Sequence, residues 1–264
     1  YATCPYRLFA ERLLDLVVVS EPEDTEEIDP LARGSLIHSI LEELFSRLLQ
    51  NNHFENASGD WHDHLGPSAT ETLQKFENES PTGWPLIWER TRRELIDLVE
   101  TYVDQQLDAL GERGAVPVAL ETRGSATVPA SESFPESVQG LKLFGRLDRV
   151  DEQNEGDGFR RRVVDYKFRS GSRRPPSDST LLREAVRGQT LQPPLYELMA
   201  REMPPRAARC GAELHFMASN WDDGPLAVAS LPDGFWQGPN AVKLAESLEV
   251  ILNGIERGEF FVLD

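Results

Sequence analysis

The sequence predicts an α/β (α+β) fold, in which an N-terminal helical region precedes a central sheet of about four to five strands flanked by helices. Three observations carry this. Apolar residues recur every three or four positions through residues 34–50 and about 84–110. Short strand-like runs bounded by turn residues occupy much of 119–218. Helical spacing returns at about 191–203 and 241–257.

Taken in order, residues 6–16 have helical spacing, and residues 21–30, opening Glu21-Pro22-Glu23-Asp24, read as an acidic linker. The helix over 34–50 shows Leu36, Ile37, Ile40, Leu41, Leu44, Phe45 and Leu48 as one broad apolar stripe. Residues 51–83 are polar and broken by Gly59, Gly66, Pro67, Pro81 and Gly83, which leaves room for one short helix at about 70–77. Asp60-Trp61-His62-Asp63-His64 gathers ligand-type residues there, with His53 nearby. No cysteine or zinc spacing accompanies them, so they read as a solvated loop. Gly111 and Gly114 are expected to close the long helix of 84–110. Strands are expected at 119–128, 141–151, 161–168 and 212–218, and the Arg-, Ser- and Pro-rich segment 169–179 reads as a mobile loop. Pro193 and Pro194 fall in the first turn of the next helix, where proline is tolerated. No internal repeat is visible. Residues 1–115 are therefore expected to be a helical region and 116–264 a sheet core, together forming one compact domain.

The chemistry concentrates in two of the strands. Leu143-Phe144-Gly145-Arg146-Leu147-Asp148-Arg149-Val150-Asp151 and Arg162-Val163-Val164-Asp165-Tyr166-Lys167 flank a turn containing Gly156 and Gly158, the pattern of an antiparallel hairpin. Alternate side chains of a strand share a face, so Asp165 and Lys167 project together while Tyr166 points away. With Asp148 paired across the hairpin, two carboxylates and an ammonium meet. Such a group is poor core material, but it suits a hard cation and an activated water. Gln192 and Tyr196 lie four apart on one helix face, and His38 interrupts an apolar helix with Glu42 one turn on, able to orient its ring.

Gly145-x-x-Asp148 followed by Asp165-x-Lys167 resembles the PD-(D/E)XK nuclease superfamily, and the surroundings resemble its RecB/AddB-like branch, the nuclease domains of bacterial recombination helicases. Cys4-Pro5-Tyr6-Arg7 with Phe9, Arg33-Gly34-Ser35-Leu36-Ile37-His38, Gln192 with Tyr196, and Gly258-Glu259-Phe260 fit that branch in the same order. The resemblance implies a restriction-endonuclease-like mixed sheet. It also implies a Mg²⁺ or Mn²⁺ ion held by His38, Asp148, Asp165 and the backbone carbonyl of Tyr166. Catalysis would fall to Asp148, Asp165 and Lys167, with Gln192 and Tyr196 contacting the DNA strand or bracing Lys167. The implied activity is hydrolysis of DNA, as single strand or duplex ends, leaving a 5′-phosphate and a 3′-hydroxyl, with a helicase-like parent or partner. Glu121 is a weaker candidate, since branch members often carry an acid on this strand but a structural salt bridge explains it equally well. Many relatives hold an iron–sulfur cluster through the Cys4 position and three C-terminal cysteines. Only Cys4 of that set is present, so no cluster and loose termini are expected.

Composition sets the remaining bounds. Hydrophobic residues at 39% and charged residues at 27% describe an ordinary globular chain, and no apolar run approaches the roughly 20 residues of a membrane span. Two cysteines, Cys4 and Cys210, make no disulfide framework, so a reducing bacterial cytoplasm is the expected compartment. A start at Tyr1 without a signal-peptide pattern suggests a piece of a longer protein. The alternative is a catalytically inactive scaffold or DNA-binding module within a helicase–nuclease complex, and the net charge of -18, which opposes nucleic-acid binding, favours the scaffold. Against it stands a basic stretch, Arg160, Arg161, Arg162, Lys167, Arg169, Arg173, Arg174, Arg183 and Arg187, which reads equally as a phosphate-guiding rim or a solvated loop.

Overall fold

The computed structural model describes residues 4–16, 26–56, 60–156, 158–170, 175–218, 221 and 224–260. Five strands form one mixed sheet: β1 (Ala115–Thr127), β2 (Lys142–Glu155), β3 (Gly158–Phe168), β4 (Arg209–Met217) and β5 (Leu226–Leu231), in spatial order β1-β2-β3-β4-β5. Only the β3–β4 pairing is parallel. The helices are α1 (Pro5–Leu8), α2 (Pro30–Gln50), α3 (His53–Asn56), α4 (His62–Glu79), α5 (Pro85–Arg113), α6 (Asp178–Val186), α7 (Gln192–Glu202) and α8 (Pro239–Glu256). The stripes of α2, α4 and α5 build one core against Val164, Tyr166 and Met217 of the sheet. Leu147, Val150, Val163, Leu214 and Phe216 join α6, α7 and α8 in a second core. The sheet is thus sandwiched between two helical layers. No described helix is long and apolar enough to cross a membrane.

Several elements differ from expectation for local reasons. Helix α2 starts four residues early because Asp29 accepts a hydrogen bond from the Ala32 amide at 2.7 Å and Pro30 suits the first helical position. Instead of a short helix at 70–77 there is the 18-residue α4, which also absorbs His62-Asp63-His64 from the expected loop. Its stripe of Leu65, Ala69 and Leu73 is buried despite Gly66 and Pro67, so packing outweighs local propensity. The N-terminal helix gives way to a π-helical turn at Phe9–Leu13. Gly111 lies within α5, and Gly114, at φ 60°, closes it in the left-handed conformation. Helix α6, capped by Ser177 and burying Leu181 and Ala185 four residues apart, stands where no helix is expected, and residues 171–174 of the expected loop lie outside the described residues. Residues 1–3 and 261–264, where loose termini are expected, also lie outside them, while Phe9 stacks on Phe260 at 5.2 Å and joins the two described ends.

Candidate metal centre

The centre forms where β2 and β3 part. Their ladder runs from Glu155↔Gly158 to Arg149↔Val164, and beyond it the Tyr166 amide donates to Asp148 Oδ2 at 2.9 Å. A carboxylate therefore replaces the missing ladder partner and is fixed by the backbone it caps. As the strand period requires, Asp165 and Lys167 share a face, with Lys167 Nζ 2.6 Å from Asp165 Oδ2. Lys167 Nζ also donates to Gln192 Oε1 at 2.7 Å, and Gln192 Nε2 to the Tyr196 hydroxyl at 3.3 Å. From the other helical layer, His38 Nε2 lies 3.0 Å from the Tyr166 carbonyl, and its Nδ1 3.4 Å from Asp148 Oδ2 and 3.7 Å from Glu121 Oε1. His38, Asp148, Asp165, Tyr166, Lys167, Gln192 and Tyr196 all line one cleft.

Helix α7 reaches the cleft through a notch of two glycines. Gly124 and Gly145 face each other across β1 and β2. A Cβ on Gly145 would lie 3.2 Å from Tyr196 Cε1 and from Met199 Sδ, and one on Gly124 would lie 3.1 Å from Met199 Cβ. Both distances are shorter than most packed contacts, so a side chain there would push α7 outward and the first residue of the Gly-x-x-Asp pattern makes room for the helix carrying Gln192 and Tyr196.

Glu121 belongs to the same cluster. It lies opposite Asp148, between the pairs Leu120↔Arg149 and Thr122↔Leu147, in a left-handed conformation with φ 42°. That backbone costs roughly 1–3 kcal/mol for a residue with a side chain, and such strain concentrates at functional sites. Donor atoms of His38, Glu121 and Asp148 lie within 4.8 Å of one another, a group able to hold a metal ion. Glu121 therefore ranks higher in the structure than in the sequence, where a left-handed residue inside a strand breaks the period-two reading. Arg146 is a further cleft residue that the motifs do not single out. The available signal was its place two residues before Asp148, on the same strand face; its Nε sits 2.6 Å from Glu121 Oε2. Glu42 approaches Arg146 at 4.0 Å, whereas Glu121 and Asp148 flank the imidazole that Glu42 was expected to orient.

The electrostatics record an excess of negative charge. Burial, then the neighbouring Asp165, push Asp148 up to about 6. Burial also raises Asp165, against the opposing pull of Lys167. For His38, burial acts to lower the pKa, but the Glu121 hydrogen bond, the Asp148 charge and the Tyr166 carbonyl outweigh it and leave the ring above its usual value. One imidazole nitrogen, carboxylate oxygens and a backbone carbonyl make a donor set suited to Mg²⁺ or Mn²⁺. A divalent cation fits because it would supply the charge that the carboxylates lack.

Of the basic stretch that reads equally as a rim or a solvated loop, Lys167 lines the cleft and the other described members do not. Arg160 pairs with Asp233, and Arg162 with Glu213 at 2.7 Å. Arg161 is buried, donating to the carbonyls of Ala200 and Met203 at 3.0 and 2.7 Å. Arg169 lies over the Phe216 ring, and Arg183 donates to Thr180 at 3.5 Å. Exposed Arg187 caps the C-terminus of α6 without lining the cleft, and Arg173 and Arg174 lie outside the described residues.

Comparison with known proteins identifies the family. The family described as the PD-(D/E)XK nuclease superfamily matches residues 1–256. Similar curated proteins include an ATP-dependent helicase/deoxyribonuclease subunit from Clostridioides difficile (strain 630), 27% identical over 207 residues, covering 74% of this chain and 16% of that protein. Its namesake from Bacillus thuringiensis (strain Al Hakam) is 29% identical over 186 residues, 64% of this chain and 14% of its own length. The Bacillus anthracis protein of that name is 29% identical over 184 residues, 63% and 14% respectively. The chain thus spans a small part of these relatives.

Proposed function

Because the chain belongs to the PD-(D/E)XK nuclease superfamily, we propose that it is the divalent-metal-dependent nuclease domain of a helicase–nuclease, hydrolysing phosphodiester bonds of DNA. The observation that carries this reading is the approach of His38, Glu121 and Asp148 donor atoms to within 4.8 Å of one another, beside the Asp165–Lys167 pair. His38, Asp148, Asp165 and the Tyr166 carbonyl would hold Mg²⁺ or Mn²⁺, with Glu121 completing the set. The ion would supply Lewis-acid charge that acidifies a nearby water and screens the phosphate.

The chain's own residues do the rest. Asp165 aligns the Lys167 ammonium, Gln192 holds it from a second side, and Tyr196 holds Gln192, so the charge on Lys167 faces the reacting phosphate without searching for its position. Products are a 5′-phosphate and a 3′-hydroxyl, and the substrate is a single strand or a duplex end delivered by helicase-like sequence or a helicase-like partner. In this reading segment 1–115 lends His38 to the core of 116–264 as part of one domain. The net charge of -18 favours the scaffold alternative. Mg²⁺- or Mn²⁺-dependent degradation of labelled DNA, with Asp165→Ala and Lys167→Ala as controls, separates the two. Loss of degradation in both variants supports the nuclease. No degradation by the unaltered chain, even joined to its native partner, overturns it.

A further inference from the structure

We infer that Arg146 is the residue that grips a phosphate oxygen of the nucleic-acid strand in the cleft, an assignment that rests on the nuclease reading and adds how the substrate is held. Among the described residues lining the cleft, the cations besides His38 are Lys167 and Arg146. Lys167, held by Asp165 Oδ2 at 2.6 Å and Gln192 Oε1 at 2.7 Å, is assigned to the reacting phosphate in the nuclease reading, which leaves Arg146 for a further phosphate oxygen. Arg146 is engaged along one edge alone. Its Nε meets Glu121 Oε2 at 2.6 Å and the Glu121 carbonyl at 3.3 Å, while a terminal nitrogen comes no closer than 4.0 Å to Glu42. The side chain keeps 62% of its surface exposed.

Three physical arguments converge on a phosphate. A guanidinium anchored through Nε still offers both terminal nitrogens, the planar fork that matches two oxygens of a phosphate. The Glu121 end of this pair is 10% exposed while the Arg146 end is 62% exposed, so the guanidinium can hold Glu121 through Nε and still meet a second anion from solvent. A polyanion entering a cleft lined by Glu42, Glu121, Asp148 and Asp165 also needs a cation at its edge, and Arg160, Arg161 and Arg162 are turned to other partners. Because Arg146 and Asp148 share one face of β2, a phosphate on the guanidinium lies beside the carboxylates that would hold the metal.

The test compares Arg146→Ala, Arg146→Lys and a control, Arg257→Ala at the C-cap of α8, with the unaltered chain. Hydrolysis of a labelled single-stranded oligonucleotide in Mn²⁺ is followed through a salt titration, and Mn²⁺ affinity is measured by calorimetry without DNA. For Arg146→Ala the KM rises roughly tenfold, the scale of one charge-assisted hydrogen bond. Its dependence on log salt becomes shallower by about 0.7, the slope of one single-strand phosphate contact. Mn²⁺ affinity stays equal or tightens, since Glu121 loses its competing partner. Arg146→Lys keeps the salt slope while losing part of the KM, and Arg257→Ala changes neither. An unchanged KM and salt slope in Arg146→Ala, whatever kcat does, overturns the assignment and reduces Arg146 to the counterion of Glu121. Failure of the unaltered chain to hydrolyse the strand at all instead overturns the nuclease reading beneath it.

Discussion

Two groups of charges share strands β2 and β3, and they meet the cost of burial in opposite ways. On one side stand Asp148, Asp165, Glu121 and His38. On the other, one residue along from Asp148, the Arg149 side chain is 1% exposed and pairs with Asp151 through Nε at 2.9 Å. Its terminal nitrogens donate to Gln106 at 2.9 Å, Tyr102 at 3.3 Å and the Tyr166 hydroxyl at 3.4 Å. Tyr102 meets His215 Nδ1 at 2.8 Å, His215 Nε2 meets Glu213 at 2.9 Å, and Glu213 ends the chain on Arg162 at 2.7 Å. There the charges balance. Burial pushes Glu213 up, but the hydrogen bond from His215 and the charges of Arg162 and Arg113 pull it down to about 2. Burial lowers His215, whereas His38 is raised. The His215 side chain is 2% exposed and His38 30%, so the same residue type is charge-balanced in the deeper group and faces an excess of carboxylates in the shallower one.

The contrast breaks first at activity. Lys167→Ala is expected to cut Mn²⁺-dependent hydrolysis by about 10²–10⁴-fold while Mn²⁺ affinity in calorimetry is kept; equal losses of both would place Lys167 in the metal site itself. Next, Glu213→Gln breaks the balanced network and should cost about 3 kcal/mol of unfolding free energy in a denaturant titration. The pH dependence has a definite sign. Glu213 is held at about 2 against an ordinary 4.5, so its stabilisation is complete above about 4.5 and is lost as pH falls toward 2. The gap between the unaltered chain and Glu213→Gln should narrow over that window.

Substitutions in the other cluster should act in the opposite direction. Asp148 is held at about 6 against 3.8, so in metal-free buffer at neutral pH its charge opposes folding. Asp148→Asn, whose amide oxygen can still accept from the Tyr166 amide, should raise stability by about 1–2 kcal/mol and abolish Mn²⁺ binding. A loss of stability would mean that this cluster is as balanced as the network behind it. The smallest change is Glu121→Gly, which relieves the left-handed backbone and should add about 1 kcal/mol of stability while weakening Mn²⁺ binding.

What was legible in the sequence follows the same division. Period two places Asp165 and Lys167 together with Tyr166 behind them, and the hairpin brings Asp148 to the same end. Helical spacing puts Gln192 and Tyr196 on one face. These relations are local, so patterns express them. The reach of Arg160 to Asp233 and of Arg162 to Glu213 depends on partners more than 50 residues away, and a run of arginines alone reads as a surface. The left-handed turn at Glu121 leaves no mark in residue types, because glycine would be the usual choice there. Gly66 and Pro67 hide α4, whose stability comes from α2 beneath it more than from its own propensity. Tyr166 joins the two halves: its amide meets Asp148 and its carbonyl His38, while its hydroxyl meets Arg149.

A crystal soaked in Mn²⁺ and examined by anomalous scattering would locate the ion without reference to activity. The charge excess predicts one strong peak among His38, Glu121, Asp148, Asp165 and the Tyr166 carbonyl, and none beside Arg149, Glu213 or His215. A cleft without a peak, in crystals that take up the ion elsewhere, would refute the metal centre.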